Sequence, residues 1–226
     1  MMRAVLLIGS PRGERSTSGS LGLYLLDLLR KKGWDIEDLP VQRSLRSLEG
    51  IGSLVSAVDN ADLVILSFPT YVDSTPAGLV KAMGLIVQQR RGNTDRTPLV
   101  AIANCGFMEA EQNRTALDIC RLFARDGGFE WRGGLALGGG PAIDGRPLAE
   151  LGGMTRNARR SLEISAEALA EGKGLPQEAV DLMAKNSIPR WIYMLFGNLG
   201  WKQQAKKNGA REKMYDRPFI EGKRGE

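Results

Sequence analysis

The chain has 226 residues, 42% hydrophobic and 25% charged, with a net charge of +5 and no histidine. That length suits one α/β domain with a full core, and no apolar run reaches the roughly 20 residues of a membrane helix. Without histidine there is no Ser-His-Asp triad, His-assisted cysteine nucleophile, His-ligated zinc or histidine general base; Cys105 and Cys120 form no CxxC, so no metal site is expected. An enzyme so poor in catalytic side chains takes its chemistry from a cofactor. No signal-peptide pattern precedes the first apolar run, and a cytoplasmic location is expected.

In chain order, Arg3 to Gly9 reads as a buried strand, and its unbroken Ala-Val-Leu-Leu-Ile indicates a parallel sheet covered on both faces. A loop, Ser10 to Ser20, leads to a helix with Leu21, Tyr24, Leu25, Leu28 and Leu29 at helical spacing, Ser18 as N-cap and Gly33 as C′. Trp34 to Leu39 reads as a short second strand and Leu45 to Val58 as a helix. The third strand is Asp62 to Ser67, followed by a loop to Thr75 and a helix opened by Pro76 at N1. Strand four is Leu99 to Ala103, followed by a helix Glu109 to Arg125 ended by Gly127-Gly128. Strand five is Phe129 to Leu137, and Leu148 to Glu171 is the closing helix.

Strands alternating with helices specify an α/β fold: a flavodoxin-like, doubly wound, five-stranded parallel sheet of order 2-1-3-4-5. Residues 1–174 form this domain and residues 175–226 a helical, basic C-terminal extension. Ligands of such sheets bind beyond the carboxyl ends of the strands, at the switch point between strands 1 and 3. Three loops are thereby marked: 9–18, 68–75 and 104–108.

In the first loop Ser10, Ser16, Thr17 and Ser18 supply hydroxyls at a helix N-terminus, and Arg12 a charge. A phosphate monoester suits that setting, although a polar loop with a serine cap has the same composition. No Gly-Lys-Ser/Thr and no GxGxxG occurs, so neither a P-loop nor a Rossmann site is expected. In the third loop Asn104 is a candidate for hydrogen-bonding the pyrimidine-type edge of a bound ring, Gly106 for close backbone approach and Phe107 for covering the ring, against the plainer reading of a strand end and a turn. Cys105 and Cys120 are expected to be buried small hydrophobes. Gly133-Gly134 and Gly138 to Gly140 mark a bulge and close backbone approach, or shape the substrate entrance.

Gly9-Ser10-Pro11-Arg12 with Ser16-Thr17-Ser18 resembles the phosphate loop of the NADPH-dependent FMN reductase family, and Phe68 to Ala77 resembles the same family's second flavin loop. The resemblance covers roughly residues 3 to 170. It implies an FMN cofactor, with Pro69, Thr70, Tyr71, Val72 and Asp73 touching the ribityl chain and ring. It also implies NADPH or NADH as hydride donor and a small-molecule electron acceptor such as a flavin or quinone. Phe68 stands where the family often has Ser or Thr, and no cysteine cluster follows the second strand, so no iron-sulfur centre is expected. The runner-up is a flavin-binding electron carrier or redox-sensing module without turnover.

Residues 185–226 hold 10 Lys/Arg against 4 Asp/Glu, and the remainder is close to neutral. The body is therefore not a nucleic-acid binder. In the tail, Ile188, Trp191, Ile192, Leu195, Phe196 and Leu199 fall at helical spacing, interrupted by Gly197 and Gly200, and a basic run follows Trp201. Such a stripe packs on its own domain, clasps a second subunit or lies on an anionic membrane surface. Family resemblance implies a homo-oligomer, dimer or tetramer, and the tail is expected to embrace a partner subunit, membrane contact being the less favoured alternative.

Overall fold

The structure is a computed structural model, and it describes residues 1–91, 95–186 and 189–216. Five strands, β1 (Arg3–Ile8), β2 (Asp35–Pro40), β3 (Leu63–Pro69), β4 (Pro98–Asn104) and β5 (Glu130–Leu137), form one sheet of order β2-β1-β3-β4-β5. All four pairings are parallel. This is the expected doubly wound, flavodoxin-like arrangement.

The apolar run of β1 explains why the sheet is covered twice. Ala4, Leu6 and Ile8 enter one core cluster, while Val5 and Leu7 enter the other, as the two-residue period of a strand requires. Helices α1 (Thr17–Lys31), α6 (Arg156–Ala170) and α7 (Gln177–Ala184) fill the first side through Leu21, Leu25, Leu162, Leu169 and Met183. Helices α3 (Leu48–Asp59), α4 (Ala77–Gln89) and α5 (Arg114–Asp126) fill the second through Leu54, Leu79, Ile86 and Phe123. Each buried Leu, Ile or Val contributes about 1.5–3 kcal/mol by leaving water, so a charge at any position from Ala4 to Ile8 has no tolerable face. A short helix α2 (Val41–Ser44) precedes α3.

Element ends depart from the sequence reading where local hydrogen bonds compete. The N-cap of α1 is Ser16, not Ser18: Ser16 is extended (φ −130°, ψ 162°) and its Oγ accepts from Gly19 N at 3.0 Å. The helix expected over 45–58 starts later, at Leu48, because Ser47 caps α3 by accepting from Gly50 N at 3.0 Å. Pro76 takes the cap position of α4 instead of N1. The helix expected over 109–125 opens with a 3-10 turn, Ala110–Asn113, and the one expected over 148–171 with a 3-10 stretch, Leu148–Thr155, broken at Gly152 (φ 54°, ψ −128°). Gly33 (φ 87°) is the left-handed residue after α1, as expected. Gly133 (φ 122°) lies at the register shift where Leu99 pairs Trp131 but Val100 pairs Gly133, the bulge its sequence suggested.

The chain forms two compact units, residues 1–187 and 188–226. Helix α7, which the sequence reading placed in the extension, lies in the first and buries Ala179 and Met183 in its core. The second contains α8 (Arg190–Lys207), one continuous helix through Gly197 and Gly200. Ile188 lies outside the described residues, as does the side chain of Phe196. Among the described residues, no helix is long and apolar enough to cross a membrane.

Candidate functional site

The loops after β1, β3, β4 and β5 meet at the carboxyl edge of the sheet. The first leaves β1 where Ile8 pairs Ser67, is tied back by Gly9 N donating to Ser67 O at 2.8 Å, and turns through a 3-10 segment, Gly13–Arg15, into α1. Its hydroxyls divide into two sets. Ser16 Oγ donates to Gly13 O (2.5 Å) and Thr17 Oγ1 to Gly140 O (2.8 Å), so both shape the loop. Ser10 Oγ accepts from Arg12 N (3.3 Å) and Ser18 Oγ from Asn104 Nδ2 (2.7 Å), which leaves both O–H groups as donors. The amides of Thr17 and Ser18 occupy the first helical turn, where no intrahelical acceptor exists; both residues are buried, and neither amide has an acceptor among the described residues. Buried donors without acceptors at a helix N-terminus, in the positive end of its dipole, suit an anion. Arg12 lies beside them and pairs with Asp144 at 2.9 Å, the two side chains 60% and 62% exposed.

The second loop is held at its base and strained at its tip. Thr70 N donates to Asn104 O (2.8 Å), and Thr70 Oγ1 to Asn113 Oδ1 (2.6 Å). Tyr71 and Ser74 exchange backbone hydrogen bonds of 2.9 and 3.1 Å around a two-residue turn whose central residues, Val72 (φ 49°) and Asp73 (φ 58°), are both left-handed. A β-branched residue there costs about 1–2 kcal/mol, and such strain concentrates at ligand-holding segments. The turn presents Val72 and Tyr71 to solvent, 97% and 50% exposed, and Pro69 lies half-buried at its base. Thr75 is buried, and its Oγ1 has no partner among the described residues.

In the third loop Asn104 is buried and its amide is spent inward, on Ser18 Oγ (2.7 Å) and Phe68 O (3.0 Å). Its N–H groups thereby tie the first loop to the second. A Cβ on Gly106 would come no nearer than 4.0 Å to Pro141, so space remains beside it. Phe107 is 64% exposed and its carbonyl accepts from Gly139 N at 2.6 Å. Burial pushes the Cys105 thiol up and pushes Cys120 up to about 12, in keeping with the inert role expected of both.

The fourth loop, 138–146, is a strap across the first. Its glycines permit contact that no side chain allows: at Gly145 (φ 76°) a Cβ would lie 2.7 Å from the Arg15 carbonyl carbon. Two contributors had no legible signal. Asn113, fully buried, donates to Ala110 O and Leu137 O (3.1 Å each) and to Cys105 Sγ (3.4 Å) while accepting from Thr70. Asp144 reaches Arg12 across 132 residues. An isolated Asn or Asp has no periodicity to betray it. Thr75 lay inside the recognised second motif but offered nothing to separate it from its neighbours. Among the described residues, no group of three or more His, Cys, Asp or Glu side chains is placed to hold a metal.

The profile of the NADPH-dependent FMN reductases matches residues 2–124, more than half of the chain and all of the first three loops. The chain belongs to the NADPH-dependent FMN reductase family. Comparison with curated protein sequences gives no match. Among solved structures, an FMN-dependent NADH-azoreductase from Bacillus anthracis, in complex with FMN, is 13% identical with a TM-score of 0.57, covering 75% of this chain and 100% of its own. An NADH:FMN oxidoreductase in its apo form is 16% identical with a TM-score of 0.56, covering 84% and 97%. A flavodoxin from Streptococcus pneumoniae is 14% identical with a TM-score of 0.53, covering 76% and 99%. At these identities the likeness is one of fold. Family membership assigns the chain FMN as cofactor, NAD(P)H as electron donor and flavin oxidoreductase as its general class. The buried free amides of α1, the orphaned Thr75 hydroxyl and the exposed Tyr71 and Phe107 rings fit a phosphate monoester carrying a polar chain and a planar ring.

Proposed function

We propose that the protein is an NAD(P)H:acceptor oxidoreductase in which hydride passes from the nicotinamide through bound FMN to a small acceptor such as a flavin or quinone. The observation that carries this reading is the buried N-terminus of α1, with the amides of Thr17 and Ser18 unsatisfied at the switch point between β1 and β3. FMN, when bound, supplies the two-electron redox chemistry.

The residues of the chain bind and orient. The Thr17 and Ser18 amides, the Ser10 and Ser18 hydroxyls and the Arg12 guanidinium hold the phosphate. Ser16 and Thr17 hydroxyls keep the loop in shape. Pro69, Thr70 and Thr75 line the polar chain, the Tyr71–Asp73 turn and Phe107 flank the ring, and Gly106 leaves room for it. Asn104 works from behind, joining the loops. Apolar Val72 and Phe107 exclude water from the reacting face. No side-chain proton donor is needed for hydride transfer, which agrees with a chain that has no histidine. The same reading includes a cytoplasmic homodimer, the assembly state being measurable by light scattering.

The test is reconstitution with FMN, gel filtration and an absorbance scan, followed by anaerobic addition of NADPH or NADH. The expected outcome is bleaching of bound flavin and ping-pong turnover with a quinone or free flavin. A protein that stays colourless with excess FMN refutes the site; a bound flavin that dithionite bleaches and both nicotinamides leave oxidised makes the protein an electron carrier instead.

A further inference from the structure

From Trp191 to Trp201 the sequence of α8 has no charged residue, and from residue 202 to 213 it carries Lys202, Lys206, Lys207, Arg211 and Lys213 against Glu212 alone. Helical spacing puts Trp191, Ile192, Leu195 and Leu199 on one side and Tyr193, Met194 and Trp201 on the other, with Asn198 as the one amide side chain between them, so the apolar half has no extended polar face. A helix apolar all round is normally buried. Here Trp191 and Trp201 are 69% and 68% exposed, and Met194, Leu195 and Leu199 about half exposed. The five cations after them are exposed as well.

We propose that α8 docks the protein on an anionic lipid surface. Two observations favour lipid over a second copy of the chain. The first is charge: the cations complement phosphatidylserine-type headgroups, whereas residues 1–184 are close to neutral and two copies of α8 would repel. The second is composition, with tryptophans bounding the apolar half and lysine stems able to reach the headgroups from it. The apolar half, about 16 Å long at 1.5 Å per residue, is too short to cross a hydrocarbon core of about 30 Å, so the contact is peripheral. Exposed Met and Leu beside the cations argue against nucleic acid, which offers those side chains no partner.

The experiment is co-sedimentation of the full-length protein with vesicles of phosphatidylcholine alone and of phosphatidylcholine mixed with phosphatidylserine, across a salt series. Binding is expected only to the mixed vesicles and is expected to weaken with salt. The triple variant Lys202→Gln, Lys206→Gln, Lys207→Gln should partition about a hundredfold less, each cation being worth about fivefold near such a surface. The double variant Trp191→Ser, Trp201→Ser should also weaken binding. Gel filtration and FMN titration of each variant verify folding, and the vesicle assay does not depend on flavin. Absence of sedimentation, equal binding to both vesicles, or a triple variant that binds like the parent overturns the proposal. A dimer that these substitutions dissociate, without vesicle binding, gives α8 to a second subunit instead.

Discussion

Arg12→Ala separates a phosphate site from a mere loop. Arg12 makes one ion pair, to Asp144 at 2.9 Å, and both side chains are about 60% exposed. Exposed pairs of this kind contribute about 0–1 kcal/mol to folding, so the variant should unfold within about 1 kcal/mol of the parent. Its loss toward ligand is larger. A hydrogen bond to a charged group is worth about 1.5–3 kcal/mol, and solvent access to the guanidinium selects the lower part of that range. About 1.5–2 kcal/mol corresponds to FMN binding about 12- to 30-fold weaker. Riboflavin lacks the phosphate and should bind as before. Fluorescence-quench titrations of both flavins at one ionic strength, with urea unfolding in parallel, give the three quantities. Equal losses for the two flavins, or unchanged FMN affinity, would refute the assignment of Arg12; destabilisation well beyond about 1 kcal/mol would make it a structural residue.

Asn113→Ala removes the acceptor of the half-buried Thr70 hydroxyl and one of the donors to the Leu137 carbonyl, which keeps Cys105 N at 3.1 Å. With one group left without a partner it should cost about 1–3 kcal/mol in urea unfolding, and a loss below about 1 kcal/mol would mean water replaces the amide. Val72→Asn places a residue tolerant of the left-handed region at φ 49° and should raise the unfolding free energy by about 1 kcal/mol, seen as a higher urea midpoint at constant m-value; an unchanged midpoint would show that the turn is not strained. Burial raises the Cys120 thiol from 9.0 to about 12. Between those values the unfolded chain has lost a proton that the folded chain keeps. The contribution of Cys120 is therefore complete below about pH 9 and declines by about 1.4 kcal/mol per pH unit as pH rises toward about 12. Stability–pH curves of the parent and Cys120→Ala should diverge over that window, and parallel curves would show the thiol is accessible.

What the sequence determined by itself was the fold class and the loops that carry the candidate site. The unbroken apolar runs at 4–8 and 63–66 demand a sheet covered on both faces, and alternation with helices indicates a parallel doubly wound sheet, for which the order 2-1-3-4-5 puts the switch point at the first and second loops. Local chemistry carried that far because hydrophobic periodicity and backbone propensity act over neighbouring residues. Who pairs with whom inside the site was decided only by the tertiary structure. Ser16 and Thr17 appeared as phosphate donors in the sequence and instead spend their hydroxyls on Gly13 and Gly140. Asn104 reads as a ligand contact in the sequence, and only the fold shows that its N–H groups join Ser18 and Phe68. The helix Leu148 to Glu171 looked continuous until Gly152 broke it. These contacts span up to 132 residues, and a side chain's hydrogen-bonding capacity says nothing of which distant partner will use it. Periodicity reveals which face of an element is buried, whereas the partner of a lone polar group follows only from how the loops close over one another.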